Sequence, residues 1–428
     1  MRSPVSVHFE VTDCCNSHCP HCYASSWLAS KRRRTPRLGD VASAIASAHV
    51  FDVTITGGEP LIVGPDVIHD LAMLFAADAI ECSLNTNGRL LTPATCVALG
   101  DAGISSLLIS LHSWNEALHD EIVATPHAAA QAKKGIRNAI AAGLRVVVNQ
   151  VVDQRNIGGL LSTSTELARL GVHAITLTRA LPPLGSDHSV ATVGAAEFID
   201  AYEACRRHVR VPVSTLLPIP FCADPRVKDL PGNRACSGGY STAVVSCDGD
   251  VRFCPHDTRV WGNVLDDSLQ SIWGQMTEWR SAIDVPADCE RCAFLPDCGG
   301  GCRLAARTAC GDYQRSDPWA TRAETRYQRR VVFAEFETEV GYTVSSDIRW
   351  REEGGSYLLY SSGQCMFVDR AGLSFLQGLP GRFIPSLVWK NESQLEFLRD
   401  LYRQGFINRS VEISEPAASA VGAGSLHT

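Results

Sequence analysis

Three cysteines, Cys15, Cys19 and Cys22, crowd the run CCNSHCPHCYA directly after a strand-like stretch, Val5–Val11. Three thiolates this close in a loop can grip three irons of a cubane and leave the fourth iron without a protein ligand. An iron with an open position can bind and activate a small molecule. The alternatives are a structural zinc loop or buried thiols. Zinc takes four closed ligands, whereas this loop offers three at compact spacing plus Cys14 and His18. The fold must therefore hold out a loop at the end of its first strand.

The chain has 17 cysteines in 428 residues, four of them between Cys14 and Cys22 and nine between Cys222 and Cys310. Its N-terminus, MRSPVSVHFEVTDCC, has no apolar signal core, and no run of about 18 apolar residues occurs, so a cytoplasmic, membrane-free protein is expected. Redox buffers there oppose structural disulfides, and clustered cysteines are read as metal ligands or catalytic groups. Composition is that of a globular protein, 45% hydrophobic and 20% charged. A net charge of −7 gives no electrostatic reason to expect nucleic acid as a partner. At this length two or three domains are expected.

The first half alternates strand-like runs (Val5–Val11, Phe51–Thr56, Ile80–Asn85, Ser105–Ser110, Leu144–Gln150, Ala174–Thr178) with amphipathic stretches such as Val41–His49, Val67–Ala76, Ala128–Ala142 and Gly159–Leu170. Six strand-then-helix units predict an α/β fold with a parallel sheet, either a partial (β/α)6 TIM-like barrel or a doubly wound open sheet. From about Pro212 proline, glycine and cysteine become frequent, and the segment to residue 320 is expected to have little core of its own and to need metal to fold. The expected divisions are a barrel over 1–211, a cysteine-rich domain over 212–320, a helical linker over 321–339, a compact module over 340–412 and a disordered tail over 413–428. The module reads as strands Ile348–Trp350, Ser356–Ser361 and Gln364–Val368, then helices near Arg370–Leu376, Ile384–Trp389 and Ser393–Gln404.

The Cys15-x3-Cys19-x2-Cys22 spacing after the first strand of a βα series resembles the radical S-adenosylmethionine superfamily. Three further segments fit in order: Gly57-Gly58-Glu59-Pro60 after the second strand, Leu84–Gly88 with Thr86 after the third, and Ser110 and Asn149 on the fourth and fifth. The resemblance implies that Cys15, Cys19 and Cys22 hold a 4Fe–4S cluster. It also implies that the Gly-Gly-Glu-Pro turn meets the methionine amine, and that Thr86, Ser110 and Asn149 line the cofactor. Glycine lets backbone approach a ligand closely. The cofactor is then cleaved reductively to a 5′-deoxyadenosyl radical that takes hydrogen from substrate. One departure is that His112 stands where many relatives have an Asp, and Val123 near where an Arg is expected. His112 reads as a solvated loop histidine, with a proton donor as the alternative.

The second cysteine region runs Cys236, Gly249-x4-Cys254, Cys289-x2-Cys292-x5-Cys298-x3-Cys302 and Cys310. Short pairs alone would suit zinc. The whole order is similar to the SPASM extension of radical enzymes, which implies two auxiliary 4Fe–4S clusters, one on Cys236, Cys254 and Cys302 and one on Cys289, Cys292 and Cys298. Relatives often close the second with a cysteine after Asp-Pro, where this chain has Ala320, which leaves Cys310 or an open iron. Cys222 or Cys247 is a candidate to complete the first. Cys82, Cys96, Cys205 and Cys365 read as core thiols, and Cys14 as a non-ligand.

The module over 340–412 resembles PqqD-like winged-helix domains, which implies capture of a precursor peptide's leader on a strand edge. Its eight Lys/Arg balance eight Asp/Glu, without the basic footprint of a DNA reader. The run Lys31–Arg34 reads as a solvated face, or as a guide for an acidic peptide. The leading expectation is a radical enzyme that modifies a ribosomally made precursor peptide, forming an oxidative C–C or thioether crosslink, with flavodoxin or ferredoxin as electron donor. The alternatives are sulfatase-maturase-like oxidation of a protein residue and an iron–sulfur redox-sensing winged-helix regulator.

Overall fold

The computed structural model describes residues 1–24, 37–184, 190–230, 233–281, 285–321 and 336–410. The Lys31–Arg34 run, most of the expected linker and the expected tail lie outside them. The described residues fall into two compact units, one up to residue 321 and one from residue 336.

In the first unit the strands are β1 (Ser6–Glu10), β2 (Asp52–Thr56), β3 (Glu81–Thr86), β4 (Ile104–Ser110), β5 (Val146–Val152), β6 (Ala174–Arg179) and β7 (Val213–Ser214), all parallel. The helices between them are α1 (Leu38–Ala46), α2 (Pro65–Ala77), α3 (Pro93–Asp101), α4 (Glu116–Ile122), α5 (Ala128–Ala141), α6 (Leu160–Leu170) and α7 (Ala195–His208). Strand order follows chain order without reversal. Right-handed crossovers then put every helix on one face, the winding of a TIM-like barrel, whereas a doubly wound sheet reverses its order midway. The helices α3, α4 and α7 are additional to the stretches read from sequence. For α3 the signal is the cap, where Thr92 accepts from the Thr95 N–H at 3.1 Å and Pro93 opens the helix.

Alternation along each strand separates packing from function, because successive side chains point to opposite faces. In β5, Val146, Val148, Gln150 and Val152 are buried, while Val147, Asn149 and Val151 are half-buried. Val7, Phe9, Val53, Ile55, Leu107 and Ile109 join the apolar core. Their alternates His8, Thr54, Leu108 and Ser110 line the cavity described below.

The chain then returns to the same sheet. Strand β8 (Thr242–Ser246) pairs parallel with β1, and β9 (Asp250–Arg252) and β10 (Gly262–Asn263) follow antiparallel. After α8 (Leu269–Gln275) come α9 (Leu295–Cys298) and α10 (Arg303–Cys310). The expectation of a segment with little core needs correction. Phe253, Trp273 and Met276 are fully buried in the core cluster that also holds the barrel residues, and Trp279 stacks on Phe253 at 4.5 Å. The segment shares the barrel's core by extending its sheet.

The second unit has a meander, β12 (Arg349–Glu353), β13 (Ser356–Ser361) and β14 (Gln364–Val368), and a small sheet in the order β15 (Arg382–Phe383), β11 (Tyr342–Val344), β16 (Ile407–Arg409). Helices α11 (Arg370–Gln377), α12 (Pro385–Val388) and α13 (Glu392–Arg403) follow. Leu359, Leu373, Leu398, Leu401 and Phe406 form its core. Its elements fall where sequence placed them, with β11, β15 and β16 in addition.

Candidate active site

The loop after β1 is clamped by its neighbours. The Gly58 N–H donates to Thr12 O and the Glu59 N–H to Cys14 O, both at 2.8 Å. Asn87 Nδ2 donates to Asn16 Oδ1 at 2.6 Å, and the Arg89 guanidinium donates to Asn16 O and to Ser17 Oγ. From the far side the His18 N–H donates to Val123 O at 3.2 Å. Gly57 sits at φ +135°, and a Cβ there would lie 2.5 Å from Thr12 O, so only glycine lets β2 end against this loop.

Glu59 is fully buried and acts through others. Its carboxylate accepts from the Leu61 N–H (3.1 Å), Thr86 Oγ1 (2.7 Å) and the Asn87 N–H (2.8 Å), which locks the turns after β2 and β3 together. Burial raises its pKa, against these donors. Pro60, also buried, opens a short 3-10 turn behind it.

These turns open on one cavity of about 480 Å³. Of the residues expected from sequence, Cys15, Cys19, Cys22, Gly57, Gly58, Thr86, Ser110 and Asn149 line it. Asn149 Oδ1 accepts from Thr176 Oγ1 (3.0 Å) and Thr178 Oγ1 (2.7 Å), so its amide presents donors. Glu59 and Pro60 stand outside the wall. Burial pushes the Cys15 and Cys19 thiols up, and that of Cys22 to about 11.

Cys236, Cys254 and Cys302 line the same cavity. Burial raises all three thiols, with Cys236 pushed up to about 11. Cys247 stands elsewhere, its thiol raised by burial and then by Asp248, Asp13 and Glu10. Cys289, Cys292 and Cys298 do not line the cavity, and Cys310 is exposed at the end of α10. Cys82, Cys96 and Cys205 are core thiols, as expected; Cys365 is only partly buried, and Cys14 is exposed.

His112 is 3% exposed and lines the cavity, which corrects the solvated-loop expectation. Its Nδ1 accepts from the Val151 N–H at 3.1 Å, its own N–H donates to His119 Nδ1 at 3.0 Å, and its ring meets His21 edge-on at 5.0 Å. Burial, then the two neighbouring histidines, lowers its pKa well below 6.5. Sequence reasoning also missed Arg89 and Arg179, both in the wall. Arg89 follows directly on the Leu84–Gly88 run and was readable. Arg179 donates to Asp317 Oδ1 at 2.9 Å across 138 residues, a pairing no local pattern signals.

Iron–sulfur cubanes suit these donor sets. The thiols are gathered in threes, and desolvation that disfavours free thiolates is offset by metal charge. Among the described residues no three His, Cys, Asp or Glu side chains close round a single metal ion, whereas thiolates of a cubane each take a different iron. Gly57 and Gly58 add side-chain-free backbone to the cavity wall.

Comparison with known proteins agrees. Residues 9–154 match the radical SAM superfamily and residues 236–293 the SPASM iron–sulfur cluster-binding domain. The AdoMet-dependent heme synthase of Oleidesulfovibrio alaskensis is 25% identical, over 74% of this chain and 86% of its own. Mycofactocin maturase MftC of Mycobacterium tuberculosis is 27% identical (71% and 80%), and the PqqA peptide cyclase of Ruegeria pomeroyi 26% (76% and 89%). In structure, Streptococcus suis SuiB bound to precursor peptide SuiA aligns with TM-score 0.63 at 16% identity, covering 75% of this chain and 76% of SuiB, a likeness of fold. The chain therefore carries a radical SAM domain joined to a SPASM domain and is an enzyme of that kind, with a 4Fe–4S cluster, S-adenosylmethionine and auxiliary clusters as cofactors.

Proposed function

We propose that this enzyme modifies a ribosomally made precursor peptide, forming an oxidative C–C or thioether crosslink. The observation that carries the reading is that Cys15, Cys19 and Cys22 share one cavity with Cys236, Cys254 and Cys302. The bound cluster and S-adenosylmethionine supply the radical chemistry. Cys15, Cys19 and Cys22 hold that cluster, Gly57 and Gly58 let backbone approach the methionine end, and Thr86, Ser110 and Asn149 supply polar contacts. A crosslink must dispose of an electron after hydrogen is taken; Cys236, Cys254 and Cys302 would hold a second cluster on the same cavity, which would supply an electron acceptor. Cys289, Cys292 and Cys298 hold the other auxiliary cluster.

The peptide substrate is supported by relatives named as a peptide cyclase and, in fold, by one bound to a precursor peptide. Residues 340–412 act as a PqqD-like winged-helix module that takes the leader on a strand edge. Among the described residues β12 and β14 each pair on one side only, and Phe367 on β14 is 53% exposed. A flavodoxin or ferredoxin supplies electrons, in the cytoplasm; no helix among the described residues is long and apolar enough to cross a membrane.

The test is iron and sulfide quantification on anaerobically reconstituted protein, followed by incubation with S-adenosylmethionine, a reductant and a peptide encoded beside the gene. About twelve irons are expected, falling to about eight in the Cys15→Ala/Cys19→Ala/Cys22→Ala variant, which makes no 5′-deoxyadenosine. The peptide should lose two hydrogens per crosslink. An unchanged peptide, alongside formation of heme in a parallel incubation given a tetrapyrrole precursor in place of the peptide, would overturn the peptide reading; heme synthesis is the activity in the name of one relative.

A further inference from the structure

The Cys289, Cys292 and Cys298 set has three thiols, and a closed cubane takes four. The turn after Asp317, where the family resemblance places a fourth, is built but carries Ala320. Its Asp317 carboxylate accepts from the Cys302 N–H at 2.8 Å and from Arg179, and the Ala320 N–H donates back to Asp317 O at 2.8 Å. On one side Ser316 Oγ donates to Asp288 Oδ2 at 3.0 Å, the residue before Cys289. On the other, Thr321 Oγ1 donates to Cys222 O. The turn that lacks a thiol is thus tied to a segment that has one.

That segment also reaches the cysteine set directly. The Phe221 N–H donates to Cys298 Sγ at 3.4 Å, and the Phe221 ring meets Phe294, between Cys292 and Cys298, at 5.9 Å. A turn closed by the Ala223 N–H on Pro220 O, at 2.9 Å, holds Cys222 half-buried next to Phe221. Among the described residues Cys310 makes no such tie: it is exposed at the C-terminus of α10.

We propose that Cys222 is the fourth thiolate of the cluster held by Cys289, Cys292 and Cys298, supplied from the loop after β7. The proposal rests on the auxiliary-cluster reading above. It makes this cluster fully cysteine-ligated, with no open iron, and removes Cys222 from the set around Cys236. A cluster closed in this way has no position for substrate and serves electron transfer.

The experiment uses the full chain in the Cys15→Ala/Cys19→Ala/Cys22→Ala background, where only auxiliary clusters remain. Iron and sulfide are counted, and mild ferricyanide oxidation is followed by electron paramagnetic resonance, which detects the 3Fe–4S form left when an iron without a thiolate is lost. Adding Cys222→Ala should either raise that signal by about one spin per chain or drop iron from about eight to about four. Cys310→Ala should change neither. Ala320→Cys added to Cys222→Ala should restore the parent values, which separates a ligand from a residue needed only for folding. A changed signal in Cys310→Ala with none in Cys222→Ala would overturn the proposal, as would no change in either or no rescue by Ala320→Cys. No iron in the background protein itself would instead sink the auxiliary-cluster reading.

Discussion

The loop from Cys14 to Cys22 and the segment from Cys289 to Cys302 both gather cysteines, but they are shaped by different agents. The first loop takes its form from the barrel: Thr12, Asn87, Arg89 and Val123 hold it by hydrogen bonds that need no metal. The second is built from a 3-10 turn, the four-residue α9 and three successive glycines, Gly299, Gly300 and Gly301, all at positive φ. Few of its side chains are buried, chief among them Phe294, Cys298 and Cys302. Where scaffold supplies the shape, losing metal costs function; where cysteines supply it, losing metal costs local structure.

The largest test of that contrast is iron removal followed by amide hydrogen exchange. Residues 285–302 should exchange about 100-fold faster or more, while β1 to β6 and residues 12–19 keep their protection. Equal loss in both regions would erase the distinction. A narrower test is Gly57→Ala, which places a Cβ against Thr12 O at a φ that side chains rarely adopt. A cost of about 2 kcal/mol or more is expected, with S-adenosylmethionine affinity down at least about tenfold and iron content on Cys289–Cys302 unchanged. Calorimetry and metal analysis read the two parts separately.

Arg89→Met keeps an unbranched apolar stem and removes the donors to Asn16 O and Ser17 Oγ. Reductive cleavage should fall about 10- to 100-fold, as when residues that orient metal ligands are lost. Arg89→Lys should recover part of it. A variant with full activity would show that the loop's shape does not depend on this residue.

The site was legible where chemistry is local. Cysteine spacing, Gly57-Gly58 and the alternation in VVVNQVV each carry their meaning within a few residues, and strand order then brings them to one cavity. What sequence could not carry were contacts made across the fold. The Arg179–Asp317 pair and the return of β8 to β1 join distant segments. The core under the cysteine-rich region was missed because Phe253, Trp273 and Trp279 are scattered among glycines and prolines with no period, and pack only once β8 is in place. His112 reads as exposed because its segment is polar; it is buried because the Val151 N–H, the Asn156 side-chain amide and His119 satisfy its ring nitrogen, carbonyl and N–H in turn.

His119 supplies the smallest and most specific test, because it belongs to the barrel side alone. Its Nδ1 accepts the His112 N–H, which requires an unprotonated nitrogen, and burial lowers its pKa from 6.5 to about 4. The folded state therefore binds fewer protons than the unfolded state between those two values. Its contribution is fully present above pH 6.5 and is lost as pH falls toward 4, at roughly 1.4 kcal/mol per pH unit at most. Urea unfolding at pH 7 and 5.5, with His119→Asn alongside, measures it. The variant should show a flatter pH dependence, while exchange in residues 285–302 at the two pH values, corrected for intrinsic rates, should not distinguish variant from parent. If the variant's slope matches the parent's, the acid sensitivity of the barrel lies in other groups and His119 is only a packing residue.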